Sequence, residues 1–220
     1  MTDNKSGHRF FRLYHIPMDM ARLVCAILLP VMRMKRLTPD GEKYTARLRG
    51  GAIIAANHTS FIDPFVVGVA FWYRRLHFLV AEVVMKKKLR ALLLRGVGAI
   101  KIDRNSTDIE AISKSIKVLK EGYLLSIFPQ GGIDKEDNVD SLKSGAVLIA
   151  MRAGVPIVPM NIAQTQHWYS RRTVVIGKTI DPKDYCAKKF PSTADIENIT
   201  HALAEELNRC KAYFAQNKEK

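Results

Sequence analysis

From residue 52 to the last turns of the chain, short apolar runs alternate with longer amphipathic stretches, and few arrangements bury such a pattern. Residues 52–56, 78–81, 99–102, 124–128, 155–160 and 173–176 read as strands, and the stretches between them read as helices. Ile109, Ile112, Ile116 and Leu119 recur at steps of three and four, which is one face of a helix. A last helix is expected from Ser192 to about residue 215, capped by Ser192 and burying Ile196, Ile199, Leu203 and Leu207. Strands interleaved with helices imply an α/β fold, with a mostly parallel or mixed central sheet flanked by helices. A chain of 220 residues suits one such domain and is long enough to bury a core.

The first 40 residues have a different texture. Phe10, Phe11, Leu13, Tyr14, Ile16, Leu23, Val24, Ile27, Leu28, Leu29, Val31 and Met32 are interrupted or flanked by Arg12, Arg22, Arg33, Lys35 and Arg36. The uninterrupted apolar stretch, residues 23–32, falls well short of the roughly 20 residues that cross a bilayer. Pro17 and Pro30 predict breaks into helical pieces. An N-terminal amphipathic helical segment over residues 1–40, lying in a lipid interface ahead of a domain at 41–220, fits this composition. A helix packed on the domain core fits it too.

The formal charge of +14 points to an anionic partner: nucleic acid, anionic lipid or a phosphate-bearing substrate. The basic clusters at 33–36 and 86–88 lack interleaved aromatics, and no nucleic-acid motif is present, so nucleic acid is not expected. The runs at 86–88 and 171–172 read as solvated charge, open to lipid headgroups or carrier phosphates. Cys25, Cys186 and Cys210 are far apart and odd in number, which argues against a disulfide framework and for a reducing setting. No secretory signal pattern is evident.

Chemistry concentrates in Ala55-Ala56-Asn57-His58-Thr59-Ser60-Phe61-Ile62-Asp63-Pro64. An apolar strand ends in a polar turn, after which Asp63 and Pro64 are placed to open a helix, Asp63 as the cap. His58 then stands at a strand end, where sites of layered α/β sheets lie. A tight turn brings the Asp63 carboxylate to one imidazole nitrogen and frees the other, the arrangement of a general base for a hydroxyl. The bare spacing also fits a plain capping aspartate beside a turn histidine. No Gly-x-Ser-x-Gly elbow is present and no cysteine is an evident partner, so the nucleophile would belong to the substrate.

The block 57–63 resembles the Asn-His-x4-Asp motif of glycerolipid acyltransferases, the PlsC-like 1-acyl-sn-glycerol-3-phosphate acyltransferases. Further matches follow in the family's order. Residues 98–104 resemble the second block, whose closing arginine, here Arg104, is linked to the acceptor's phosphate. Phe128-Pro129-Gln130-Gly131-Gly132 resembles the third, usually Phe-Pro-Glu-Gly-Thr-Arg, and residues 143–146, beginning at Lys143, resemble the short segment after it. Residues 155–159 resemble the fourth, a proline-containing apolar strand in which Pro156 and Pro159 would shape an edge or strand end.

The resemblance implies transfer of a fatty acyl group from acyl-CoA or acyl carrier protein to a lysophospholipid hydroxyl at the cytoplasmic face of an anionic membrane, as a peripheral or monotopic protein. No metal or redox cofactor is implied. His58 and Asp63 would be catalytic, with Arg104, Gln130, Gly131, Gly132 and Lys143 binding substrate and the glycine amides facing a developing oxyanion. Gln130, Gly132 and Ile133 depart from the third block, so a different lyso-lipid acceptor, or a lipid-binding homologue without catalysis, stays open. Lys143 or Lys101 is placed to replace the missing arginine. Water in place of the lipid hydroxyl would give a thioesterase.

Overall fold

The computed structural model describes residues 15–31, 34–103, 108–133, 142–164, 172–186 and 192–217. In chain order the elements are α1 (Ile16–Val31), β1 (Lys35–Leu37), β2 (Ala52–Ala56), α2 (Asp63–Ala70), β3 (Leu76–Ala81), α3 (Lys88–Gly96), β4 (Ala99–Ile102), α4 (Ile109–Lys120), β5 (Leu124–Ile127), α5 (Gly145–Ala153), β6 (Ile157–Ile162), β7 (Thr173–Ile176) and α6 (Thr193–Gln216). A 3-10 turn, Glu82–Met85, links β3 to α3. The seven strands form one sheet in the order β1-β7-β6-β2-β5-β3-β4. Every neighbouring pair is parallel except β6 and β7. The carboxyl ends of β2 through β6 therefore share one end of the sheet, and antiparallel β7 begins there.

β2 shows why the sheet is covered on both faces. Ile53 and Ala55 join the apolar layer formed with α4, α5 and α6. Ala52, Ile54 and Ala56 join the opposite layer, built on Val66, Val67 and Ala70 of α2 together with Phe71. Alternate residues point to opposite faces, and all five are buried. Each isoleucine contributes roughly 1.5–3 kcal/mol through this burial. Just before the strand, a Cβ on Gly51 would sit 2.1 Å from the Leu119 carbonyl oxygen, so only glycine lets β2 pass beneath the end of α4.

Several expected features shift. β6 starts at Ile157 rather than residue 155, because Gly154 and Val155 close α5 through bonds to the Ala150 carbonyl. Pro159 lies inside an interior strand, not at an edge. It is tolerated because the β6–β7 ladder begins one residue later, at Met160, so no ladder donor is asked of it. Ile109 is exposed, and α4 buries Ala111, Ser115 and Leu119, with Ile112 and Ile116 half-buried. Ser192 does cap α6, in a reciprocal pair with Asp195. β1 lies on the N-terminal side of the boundary expected after residue 40, yet it forms one edge of the sheet.

Pro17 and Pro30 do not break α1. They occupy its first and last turns, where a missing N–H or a termination is harmless. Met18 and Cys25 are buried, while Ile16, Met20, Leu23, Val24 and Ile27 form an exposed stripe. The helix thus packs on the domain by one face and presents apolar side chains on the other. Asp19 anchors it, accepting from Arg75 Nε and Nη2 at 2.8 and 2.7 Å and from Arg22 at 2.9 Å. The Arg75 bonds hold the Asp19 carboxyl at about 2, well below the usual range. Among the described residues, no helix is long and apolar enough to cross a membrane.

Candidate active site

The turn after β2 is organised by one carboxylate oxygen. Asp63 Oδ2 accepts the backbone N–H of Thr59 and of Ser60, each at 2.7 Å, and lies 3.2 Å from His58 Nδ1. Asp63 is not the cap residue the sequence suggested. It is the first residue of α2, and its side chain folds back over the turn instead of bonding forward into the helix. A carboxylate only accepts, so a neutral His58 ring carries its hydrogen on Nδ1 and leaves a lone pair on Nε2. Asp63 is almost wholly buried, whereas the His58 side chain keeps 11% of its surface open.

Neighbouring strand ends fix the backbone of this turn. Gln130, after β5, accepts the His58 N–H through Oε1 at 3.0 Å. The Phe128 ring stacks on the imidazole with centroids 4.2 Å apart and planes 23° from parallel. Asn57 pairs with the end of β6 through its side chain, accepting from Ile162 N–H at 2.7 Å and donating to Ile162 O at 3.3 Å. Its amide imitates a backbone peptide and prolongs the β2–β6 pairing for one more step.

The glycine turn after Phe128 faces a lysine. Gly131 has φ of +75°, and a Cβ on it would lie 3.0 Å from Lys143 Cε and 3.2 Å from Nζ, so the lysine chain lies directly over the glycine. The Gly131 N–H donates to Phe128 O at 3.0 Å and so is committed to the turn. That corrects the expectation that both glycine amides face the substrate. The Gly132 N–H has no acceptor among the described residues. Lys101, the other expected replacement cation, pairs with Glu82 at 3.0 Å on the surface. Arg104 lies outside the described residues. The end of β4, which leads to it, is separated from β2 by β5 and β3, roughly 14 Å across the sheet at the usual strand spacing.

Asn57, Phe128 and Arg172 are the side chains whose parts sequence reasoning missed. Arg172, expected to be solvated, is buried at the start of β7. Burial pushes its guanidinium below the usual arginine range, and the Asp63 charge opposes that shift. Only the antiparallel placement of β7, invisible in the sequence, brings it to this end of the sheet. Among the described residues, no three His, Cys, Asp or Glu side chains converge as a metal site. A cavity of about 280 Å³, lined by His77, Arg95, Lys114, Lys117 and Tyr123, lies at the amino end of the sheet and shares no residue with the His58 turn.

The layered α/β fold is shared with PlsC, the 1-acyl-sn-glycerophosphate (LPA) acyltransferase of Thermotoga maritima. Its crystal structure matches with a TM-score of 0.59 at 17% identity, over 92% of this chain and 81% of that one. The family model described as Acyltransferase matches residues 36–163, more than half of the chain, and the chain belongs to that family. It is 27% identical over 162 residues to the 1-acyl-sn-glycerol-3-phosphate acyltransferase of Bacillus subtilis, covering 71% of this chain and 79% of that protein. With the enzyme of the same name from Streptococcus pneumoniae it shares 31% identity over 163 residues, 71% of this chain and 59% of that protein.

Proposed function

We propose that this acyltransferase moves a fatty acyl group from acyl-CoA or acyl carrier protein to the free hydroxyl of 1-acyl-sn-glycerol-3-phosphate, a step of phospholipid biosynthesis. The observation that carries the reading is the bond between His58 Nδ1 and Asp63, which leaves Nε2 as the basic atom of the ring. The names of the Bacillus and Streptococcus relatives support the choice of acceptor.

In this reading Nε2 takes the proton of the acceptor hydroxyl as its oxygen attacks the thioester carbonyl. The Gly132 amide donates to the developing oxyanion. The tetrahedral carbon then expels the thiolate, which takes the proton from the imidazolium, so ester and free thiol leave and the enzyme is unchanged. Asp63 holds the ring and offsets its transient charge. Arg104 and Lys143 receive the acceptor's phosphate. Gln130 acts on His58 through its backbone. No metal or redox group takes part.

The exposed stripe of α1 supports a membrane role for residues 1–40, with the enzyme peripheral or monotopic on the cytoplasmic face. A water-soluble enzyme has no use for five outward apolar side chains on one helix face, whereas one that meets a two-tailed product at a bilayer does.

The test is a panel of lyso-lipids with both thioester donors, read by mass spectrometry. The panel extends beyond lysophosphatidic acid because Gln130, Gly132 and Ile133 depart from the family's third block. Diacylated product that disappears in His58→Ala is expected. Lipid binding without product from any pair would instead make the chain a non-catalytic lipid-binding homologue.

A further inference from the structure

α3 is built inside out for a water-soluble protein. Its buried residue is Ala91, while Leu89, Leu92 and Leu93 are 70%, 68% and 64% exposed. At 100° per residue these leucines fall within one narrow stripe opposite Ala91. Lys88 and Arg95 border the stripe on one side and Arg90 borders it on the other. Lys86 and Lys87, just ahead of the helix, and exposed Val83 in the preceding 3-10 turn extend the same character. The only acid between residues 82 and 96 is Glu82, already paired with Lys101. The helix meets α1 where Gly96 lies against Pro17.

A globular helix points leucines inward and charge outward. Here the leucines face away from the domain and the cations stand beside them, with stems long enough to lift their charges to a headgroup layer. We infer that α3 is a second membrane-docking element, seating Leu89, Leu92 and Leu93 in the acyl boundary of an anionic bilayer while Lys86, Lys87, Lys88, Arg90 and Arg95 contact lipid phosphates. Charge selects this occupant. A second copy of this chain would bring a like-charged face against it, and a zwitterionic surface would leave the cations without counter-charge. The inference deepens the membrane reading above and assigns a surface to it. The 3-10 turn leaves the carboxyl end of β3, so the first turn of α3 starts from the end of the sheet that carries His58.

The experiment is flotation of the full-length protein with phosphatidylglycerol vesicles and with phosphatidylcholine vesicles. The Leu89→Gln/Leu92→Gln/Leu93→Gln variant is expected to lose anionic-vesicle binding by about tenfold or more. Lys87→Gln/Lys88→Gln/Arg90→Gln is expected to lose a comparable factor on phosphatidylglycerol and to change nothing on phosphatidylcholine. Leu92→Trp, which keeps the surface apolar, should be quenched by brominated lipid more than the parent is.

Parent-like binding by both triple variants would overturn the proposal, as would an unquenched Leu92→Trp. A parent dimer that the leucine variant splits, with vesicle binding intact, would overturn it in favour of a second copy. Acyl transfer between water-soluble short-chain substrates, run in parallel, should be unchanged in every α3 variant. Its absence in the parent would count against the role given to His58, not against this surface.

Discussion

His58 and Asp63 are joined at 3.2 Å across a turn in which two of the four intervening amides, Thr59 and Ser60, point at the same carboxylate oxygen. The carboxylate therefore shapes the loop and orients the ring at once. His58→Ala removes the base and its bond to Asp63 but leaves the backbone bonds of the loop in place, so turnover should fall about 10²–10⁴-fold or more while the folded circular dichroism spectrum and melting temperature stay near the parent's. Asp63→Asn keeps an acceptor but brings an NH2 group toward donors. It should lose activity to a similar degree and also stability, because a buried backbone N–H left unpaired costs about 1–3 kcal/mol. A His58→Ala variant with most of its activity would remove the general base from the mechanism.

Gln130 makes a narrower prediction. Its Oε1 fixes the His58 amide, so Gln130→Ala should lower kcat about tenfold, roughly the worth of one neutral hydrogen bond, with little change in KM. Gln130→Glu retains an acceptor and should keep more activity than the alanine variant. A KM effect larger than the kcat effect in Gln130→Ala would assign the residue to substrate binding instead.

The stretch 52–64 was legible because each of its signals is local. A five-residue apolar run, a polar turn and an Asp-Pro pair specify a strand end and a helix start without help from distant residues. The same locality makes β2, β4 and β7 begin and end where the apolar runs do. What the sequence hides is what depends on partners far along the chain. β1, Lys35-Arg36-Leu37, has no strand-like pattern and exists because β7 offers it a parallel edge. Arg172 reads as surface charge until β7 turns antiparallel and carries it to the site. α1 reads as either membrane-facing or core-packed because amphipathicity gives the width of an apolar face but not what covers it; the helix packs by Met18 and Cys25 and leaves a second apolar stripe exposed.

Asp19 shows how α1 is fastened. Its carboxylate takes a two-pronged contact from Arg75 and a third from Arg22, which also donates to the Trp72 and Tyr73 carbonyls. Asp19→Asn should cost about 1–2 kcal/mol, less than a fully buried pair because the group is partly solvated. Because the folded carboxyl titrates near 2 against an ordinary 3.8, this contribution is present above pH 3.8 and is lost as pH falls toward 2. Hydrogen exchange of α1 measures it: the variant should exchange faster there than the parent at neutral pH, and unchanged exchange would show that apolar packing alone holds the helix.

His77 sets the acid side of the stability curve. Its Nδ1 lies 3.0 Å from the Gly98 carbonyl, which only accepts, so the hydrogen is on Nδ1, while Nε2 is buried with no partner among the described residues. Burial disfavours the charged ring and pulls its pKa from 6.5 to about 4, with the nearby His15 pushing the same way. Between those two values the unfolded chain binds a proton that the folded chain refuses, so stability must rise with pH across that window. Lowering the pH from 6.5 to 4 should remove on the order of 3 kcal/mol through this group alone, and the loss should level off below pH 4. His77→Asn keeps a donor for Gly98 but cannot titrate. Urea midpoints measured at several pH values from 7.5 to 4 should slope less for the variant than for the parent, and parallel slopes would place the acid sensitivity elsewhere in the molecule.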